Sequence, residues 1–162
     1  MVRNTSRFQI WNRIINKFNI AKLDYVLVGA AALVIHGMPR STLDIDIYIP
    51  ARKDILVRLF QIADKLGLES EQRDILKIML SPELFANQWI CFSYKGQDVL
   101  DVFFANENDY NKLYKNSKLR RDKNIIVRVA SLNDLRAMKK ASGRPQDLAD
   151  IKLIEEARKY EN

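Results

Sequence analysis

The chain has 162 residues, 48% of them hydrophobic, enough for one domain with a real core and too few for a second sizeable one. Its 27 lysines and arginines outnumber 20 acids to give a net charge of +7, which favours a polyanionic partner: nucleotide, RNA or an acidic protein. A single cysteine, Cys91, excludes an internal disulfide and fits a reducing cytosol. No stretch is apolar for long enough to span a membrane, and Arg13 and Lys17 interrupt the N-terminal apolar residues, so a cytoplasmic protein without membrane contact is expected.

Phe8, Trp11, Ile14, Ile15 and Phe18 recur at helical spacing and predict an amphipathic helix packed on the rest of the chain. Val26-Leu27-Val28 is then a β-branched run ending at Gly29, and residues 30–35 read as a short helix. Strand, glycine turn and helix start in this order form a phosphate cradle, because amides at a helix N-terminus attract anions and glycine lets a phosphate approach. His36-Gly37 stops the helix and Pro39 blocks its continuation. The single histidine, His36, is expected to cap its helix or bond a backbone carbonyl.

Arg40, Ser41 and Thr42 lead into an apolar strand over residues 42–49 that carries Asp44 and Asp46. Carboxylates are depleted in strands, and residues i and i+2 share a face. Two anions so placed repel each other unless a divalent cation or basic groups relieve them, and hard oxygen ligands select Mg²⁺ or Mn²⁺. A metal site is therefore expected beside the phosphate cradle.

Residues 54–66 repeat Ile55, Leu59, Ile62 and Leu66 on one face and stop at Gly67, which predicts a helix covering a sheet. Strands are expected over residues 74–80, 88–94 and 98–104, the last two as a hairpin broken at Lys95-Gly96-Gln97. Cys91, in the apolar run Trp89-Ile90-Cys91-Phe92, reads as a buried inert thiol. The polar stretch 106–124 begins with turn or short-helix character, and residues 125–129 form a last short strand. Ser131 with Asp134 predicts a capping box opening a helix that Gly143 ends and Pro145 helps restart. The cluster Lys112, Lys115, Lys118, Arg120, Arg121, Lys123 and Arg128 reads as solvated surface or as a contact for RNA phosphates.

Leu27-Val28-Gly29-Ala30-Ala31-Ala32-Leu33 through His36-Gly37, followed by Arg40-Ser41-Thr42-Leu43-Asp44-Ile45-Asp46, resembles the nucleotidyltransferase superfamily typified by DNA polymerase beta. Within it the chain is similar to small bacterial nucleotidyltransferases of abortive-infection and toxin–antitoxin systems (MNT-like). The resemblance implies a third metal-binding acid on a neighbouring strand, flanked by apolar residues. Val99-Leu100-Asp101-Val102-Phe103 supplies it, and Asp101 is preferred to Asp98 because apolar neighbours demand that its carboxylate be compensated. The C-terminal segment also matches, and the resemblance places Lys139 near the nucleotide phosphates, with Arg144, Asp147 and Asp150 bracing the site. One departure is Ala30, where a serine or a second glycine usually follows the first, so only backbone amides remain there for a terminal phosphate.

The resemblance thus implies an α/β (α+β) nucleotidyltransferase fold in a single domain over residues 1–162: an N-terminal helix (1–20), a mixed sheet flanked by helices (25–130) and C-terminal helices (131–162). Asp44, Asp46 and Asp101 would hold two Mg²⁺ or Mn²⁺ ions, while Gly29, Ala30, Arg40, Thr42, Lys139 and Arg144 would hold a nucleoside triphosphate such as ATP. The expected reaction moves a nucleoside monophosphate to a hydroxyl on RNA, for example a tRNA 3′ end, or on a partner protein, in a toxin–antitoxin or phage-defence system. The alternative is an antitoxin or binding module that neutralises its partner by complex formation and keeps a residual nucleotide site. A metal-dependent nuclease would use the acids but leave the glycine turn unexplained.

Overall fold

The computed structural model describes residues 5–74 and 81–160, and within them the chain builds a sheet around β1 (Val26–Val28), whose three residues are all buried. A strand covered on both faces needs apolar side chains at every position, which explains its unbroken β-branched run. The other strands are β2 (Ile45–Pro50), β3 (Trp89–Tyr94), β4 (Gln97–Ala105), β5 (Lys118–Asp122) and β6 (Ile125–Val129). Their spatial order is β3-β4-β2-β1-β6-β5. β1 runs antiparallel to β2 and parallel to β6, and β2 runs parallel to β4, so the sheet is mixed.

One face is closed by α1 (Thr5–Ile20) and α3 (Lys53–Leu66). Ile55, Leu59, Ile62 and Leu66 of α3 are buried as expected, while of the expected α1 stripe Ile14, Ile15 and Phe18 are buried, with Ile10 beside them, and Phe8 and Trp11 are only half-buried. Gly67 ends α3 in the left-handed conformation. Along β2 the buried side chains Ile45, Ile47 and Ile49 alternate with Asp46 and Tyr48, which are only half-buried. That alternation gives the sheet one sealed face and one partly open face, and the acids are on the open one.

The hairpin of β3 and β4 forms as expected, turning through Lys95 (φ 50°) and Gly96 (φ 75°). Two residues of positive φ match the twist of the flanking strands. The helices α2 (Gly29–Ile35), α4 (Pro82–Phe85), α5 (Glu107–Asn116), α6 (Leu132–Ser142) and α7 (Pro145–Arg158) complete the described elements.

Two expectations change. The acidic strand begins at Ile45, not at residue 42, so Asp44 belongs to the preceding loop. There the Thr42 hydroxyl donates to the Asp44 carbonyl at 2.7 Å, a local bond that competes with strand pairing. The stretch 106–124 contains a ten-residue helix, capped by the Asn106 side chain, and an additional edge strand, β5. β5 is stabilised by pairing with β6, although only its Asp122 end is less than exposed. The strand expected over residues 74–80 lies outside the described residues from 75 onward.

Candidate active site

The parallel pairing of β2 with β4 puts Asp46 directly beside Asp101. Both side chains rise from the open face, and Asp44 approaches from the loop. Burial, then Asp44, then Asp101 push the Asp46 pKa up to about 7, with Lys139 and Arg144 pulling the other way. Asp101 is also raised, first by burial and then by Asp44 and Asp98, while a hydrogen bond with Cys91 opposes the shift. One carboxylate oxygen of Asp101, Oδ1, is buried without a hydrogen-bond partner. Such an atom is costly unless something else satisfies it.

Gly29 closes the other wall. It has φ +68°, and a Cβ there would collide with the Asp46 carboxylate, lying 2.9 Å from its Cγ. Glycine is required twice over, by the backbone and by the approach of Asp46. A cleft of about 760 Å³ opens here and is lined by Gly29, Ala30, Asp44, Asp46, Asp101 and Arg144, among others.

Below the cleft lies an ion network. Lys139 on α6 reaches Asp147 Oδ1 at 3.1 Å and Asp150 Oδ2 at 2.8 Å, both on α7. Arg40 Nε binds Asp150 Oδ1 at 2.8 Å, tying the loop before β2 to α7. Arg144 Nε donates to Asp147 Oδ2 at 3.0 Å, and the Arg144 backbone amide donates to the same oxygen at 3.1 Å. Asp147 and Asp150 are 0% and 1% exposed, so each depends on these cations. Burial alone would raise the Asp147 pKa, but hydrogen bonds from Arg144, Ser142 and Lys139 outweigh it and hold the carboxyl well below the usual carboxylate range.

The site residues expected from sequence therefore converge on one cleft and its floor, with roles partly redistributed. Thr42 holds Asp44 in place through the Asp44 backbone carbonyl. Lys139 is 9% exposed and engaged by two carboxylates, whereas the Arg144 side chain is 70% exposed. The guanidinium of Arg144 is thus the cation better placed to meet a ligand. His36 Nε2 sits 2.8 Å from the Ala130 carbonyl, as its backbone-bonding reading anticipated. Cys91 is half-buried rather than buried. It faces Asp101 across the β3–β4 pairing, and burial followed by Asp101 raises its pKa, which favours the protonated thiol.

Among the described residues, no three carboxylate, imidazole or thiol side chains already stand in an arrangement able to hold a metal ion. The donor chemistry fits a hard divalent cation all the same. Asp46 and Asp101 are carboxylates in register, both resist ionisation, and Asp101 offers an unpartnered oxygen.

Solved structures share this mixed sheet with its flanking helices. LnuA, described as a lincosamide antibiotic adenylyltransferase with lincomycin bound, superposes with a TM-score of 0.65 at 18% identity, covering 94% of this chain and 96% of its own. A putative nucleotidyltransferase from Thermotoga maritima gives 0.63 at 15%, covering 94% and 93%. ANT(2″)-Ia, in complex with adenylyl-2″-tobramycin, gives 0.62 at 13%, covering 93% and 88%. At these identities the likeness is one of fold. No curated protein matches the chain in sequence. The chain belongs to the family described as nucleotidyltransferase of unknown function (DUF6036), which it matches over residues 8–157.

No described helix is long and apolar enough to cross a membrane. The basic cluster read along the sequence is dispersed in space. Arg128 stacks on Tyr114 and Lys123 on Phe8, while Lys118 and Arg120 line a second cleft together with Arg136, Arg158 and Lys159. The residues that sequence reasoning missed are Tyr48, Phe103 and Trp89, whose rings form a row on the open face next to the acids. Their signal was the register of the strands, which periodicity within each strand does not reveal.

Proposed function

We propose that the protein is a Mg²⁺- or Mn²⁺-dependent nucleotidyltransferase that moves a nucleoside monophosphate from a nucleoside triphosphate to a hydroxyl. The observation carrying this reading is the in-register pair Asp46 and Asp101, set against a glycine whose missing side chain makes room for Asp46. Asp44, Asp46 and Asp101 would hold the divalent cations, whose chemistry is to make the acceptor hydroxyl more acidic and to neutralise the leaving pyrophosphate.

The rest falls to the chain's own groups. The amides of Gly29 and Ala30 line the cleft beside Asp46 and are suited to the triphosphate, with Arg144 as the accessible cation. Lys139 and Arg40 act from below by anchoring Asp147 and Asp150. Asp101 is suited to take the proton of the acceptor hydroxyl, since one of its oxygens is unengaged. The acceptor oxygen then bonds to the α-phosphorus, the bond from that phosphorus to the bridging oxygen breaks, and pyrophosphate leaves.

ATP is the first donor to test, because two of the similar structures are, by their descriptions, of an adenylyltransferase and of a complex with an adenylylated compound. The acceptor is a hydroxyl of RNA, such as a tRNA 3′ end, or of a partner protein in a toxin–antitoxin or phage-defence pair. A second reading is an antitoxin that binds its partner and retains only a residual nucleotide site. It draws on Ala30 and on the lack of a preassembled three-ligand cage among the described residues.

The test is incubation of the purified protein with each α-labelled nucleoside triphosphate and Mg²⁺ in lysate or total RNA, beside Asp44→Asn/Asp46→Asn. Label on one RNA or protein species that disappears in the variant is expected. Nucleotide binding without label on any species would replace the enzymatic reading with the antitoxin one.

A further inference from the structure

Pairing of β2 with β4 sets Tyr48 beside Phe103, and pairing of β3 with β4 sets Trp89 on the other side of Phe103. The Tyr48 and Phe103 rings stack with centroids 5.3 Å apart at 18°, and Phe103 and Trp89 at 6.3 Å and 28°. The next row on the same strands is Asp46, Asp101 and Cys91, two residues away on each. Side chains alternate along a strand, so the rings and the carboxylates share one face, roughly 7 Å apart. Tyr48 and Phe103 line the same cleft as the acids.

Aromatic rows across strands also stabilise sheets by packing on one another. Two observations go further. Trp89 is 46% exposed at the sheet edge, leaving a large apolar ring in water where edge strands are ordinarily blunted by charge. The row also has a direction. On β1, Val28 pairs with Asp46 and is followed by Gly29, while Val26 pairs with Tyr48, so along the strands the ring row lies on the side of the acids away from Gly29. With the triphosphate at Gly29, the rings occupy the acceptor's side.

Near-parallel rings at these separations are offset-stacked and not coplanar, so the row is a stepped shelf. A cage for an ammonium group would need rings facing one another, whereas a shelf suits a planar heterocycle. The net charge of +7 and the basic cleft of Lys118, Arg120, Arg136, Arg158 and Lys159, on the other flank of α6, favour a polyanion carrying that heterocycle. We propose that Tyr48, Phe103 and Trp89 are the acceptor subsite, on which the unpaired terminal base of an RNA strand stacks and presents its ribose hydroxyl to Asp101. This rests on the nucleotidyltransferase reading, and it selects RNA over a protein acceptor.

The experiment uses a Trp11→Phe background, in which Trp89 is the sole tryptophan, and titrates a short oligoadenylate at low salt without triphosphate. The same oligonucleotide ending in an abasic residue is the comparison. Quenching of Trp89 is expected with the intact strand, and binding about tenfold weaker with the abasic one, in line with base–aromatic stacking. Trp89→Ala, read by anisotropy of the labelled strand, should weaken binding similarly, and Trp89→Phe should restore most of it. Equal binding of the two strands, or unchanged binding by Trp89→Ala, overturns the shelf. Label transferred to a protein or small molecule equally well by Trp89→Ala overturns it too, while leaving nucleotidyl transfer standing. Stacking of the oligoadenylate without any transfer sinks the enzymatic reading and the acceptor role with it, leaving the rings as an RNA-binding surface alone.

Discussion

Asp46 is held where its own charge is least welcome. Burial, Asp44 and Asp101 raise its pKa to about 7, against 3.8 for an ordinary aspartate. A carboxyl with a raised folded-state pKa costs the fold nothing below the unfolded value. The cost grows as pH rises from about 4 to 7 and is fully present above that. Asp46→Asn removes it. The variant should therefore lose nucleotidyl transfer yet melt higher than the parent at pH 8 without added metal, with little difference at pH 4. Each kcal/mol of relief raises Tm by about 2–4 °C in a domain of this size. Thermal melts at the two pH values check this, and a gain independent of pH would count against the electrostatic origin. Asp46 thus represents stability given up to concentrate charge at the proposed cation site.

The junction of α6 and α7 works through a lysine that is inside the protein and two aspartates that are further inside. Lys139→Met keeps the bulk of the side chain but strands Asp147 and Asp150 with only their arginine partners. Breaking a buried pair in this way costs about 3–5 kcal/mol. Arg144 is largely solvent-exposed, and Asp147 keeps Lys139 when it is removed, so Arg144→Ala should cost less than Lys139→Met. The second change should instead weaken nucleotide binding, since Arg144 borders the cleft. Urea unfolding midpoints together with nucleotide titrations of both variants separate the roles. A large stability loss from Arg144→Ala and a small one from Lys139→Met would reverse the assignment.

Taken together, the acids divide into two populations with opposite pH dependence. Asp147 has its pKa depressed, so its contribution is present above the unfolded value and is lost as pH falls toward the folded one. Asp46 acts in the opposite sense between about 4 and 7. Metal-free protein should accordingly be most stable in mildly acidic solution, and lose stability toward both strong acid and pH 8. Millimolar Mg²⁺ should recover stability at pH 8 in the parent but not in Asp46→Asn, because a ligand that binds only the folded state stabilises it by mass action. Melting curves across pH with and without Mg²⁺ measure this, and an identical Mg²⁺ response in the variant would remove Asp46 from the metal site.

What the sequence determined by itself was whatever depends on neighbours along the chain. The apolar stripe of α3, most of that of α1, the stop at Gly67 and the β3–β4 hairpin follow from local periodicity and turn chemistry and are present, the turn itself being one residue shorter than the expected break at Lys95-Gly96-Gln97. The glycine turn and the acids at positions 44 and 46 were legible because carboxylates in an apolar strand pattern call for a partner, and Asp101 was singled out by the family resemblance together with its apolar neighbours. Strand pairing decided the rest. Whether Asp46 and Asp101 stand side by side depends on the register of β2 with β4, and a slip of one residue would put one of them on the sealed face. β5 was hidden because its exposed residues carry no alternation, so pairing with β6 defines it. Asp44 looked like a strand residue until the Thr42 hydroxyl drew its carbonyl into a turn. Only the tertiary structure could show that Lys139 is committed to Asp147 and Asp150, because burial and partners are set by helices meeting in space. The aromatic row beside the acids comes from three strands and exists only when they are paired.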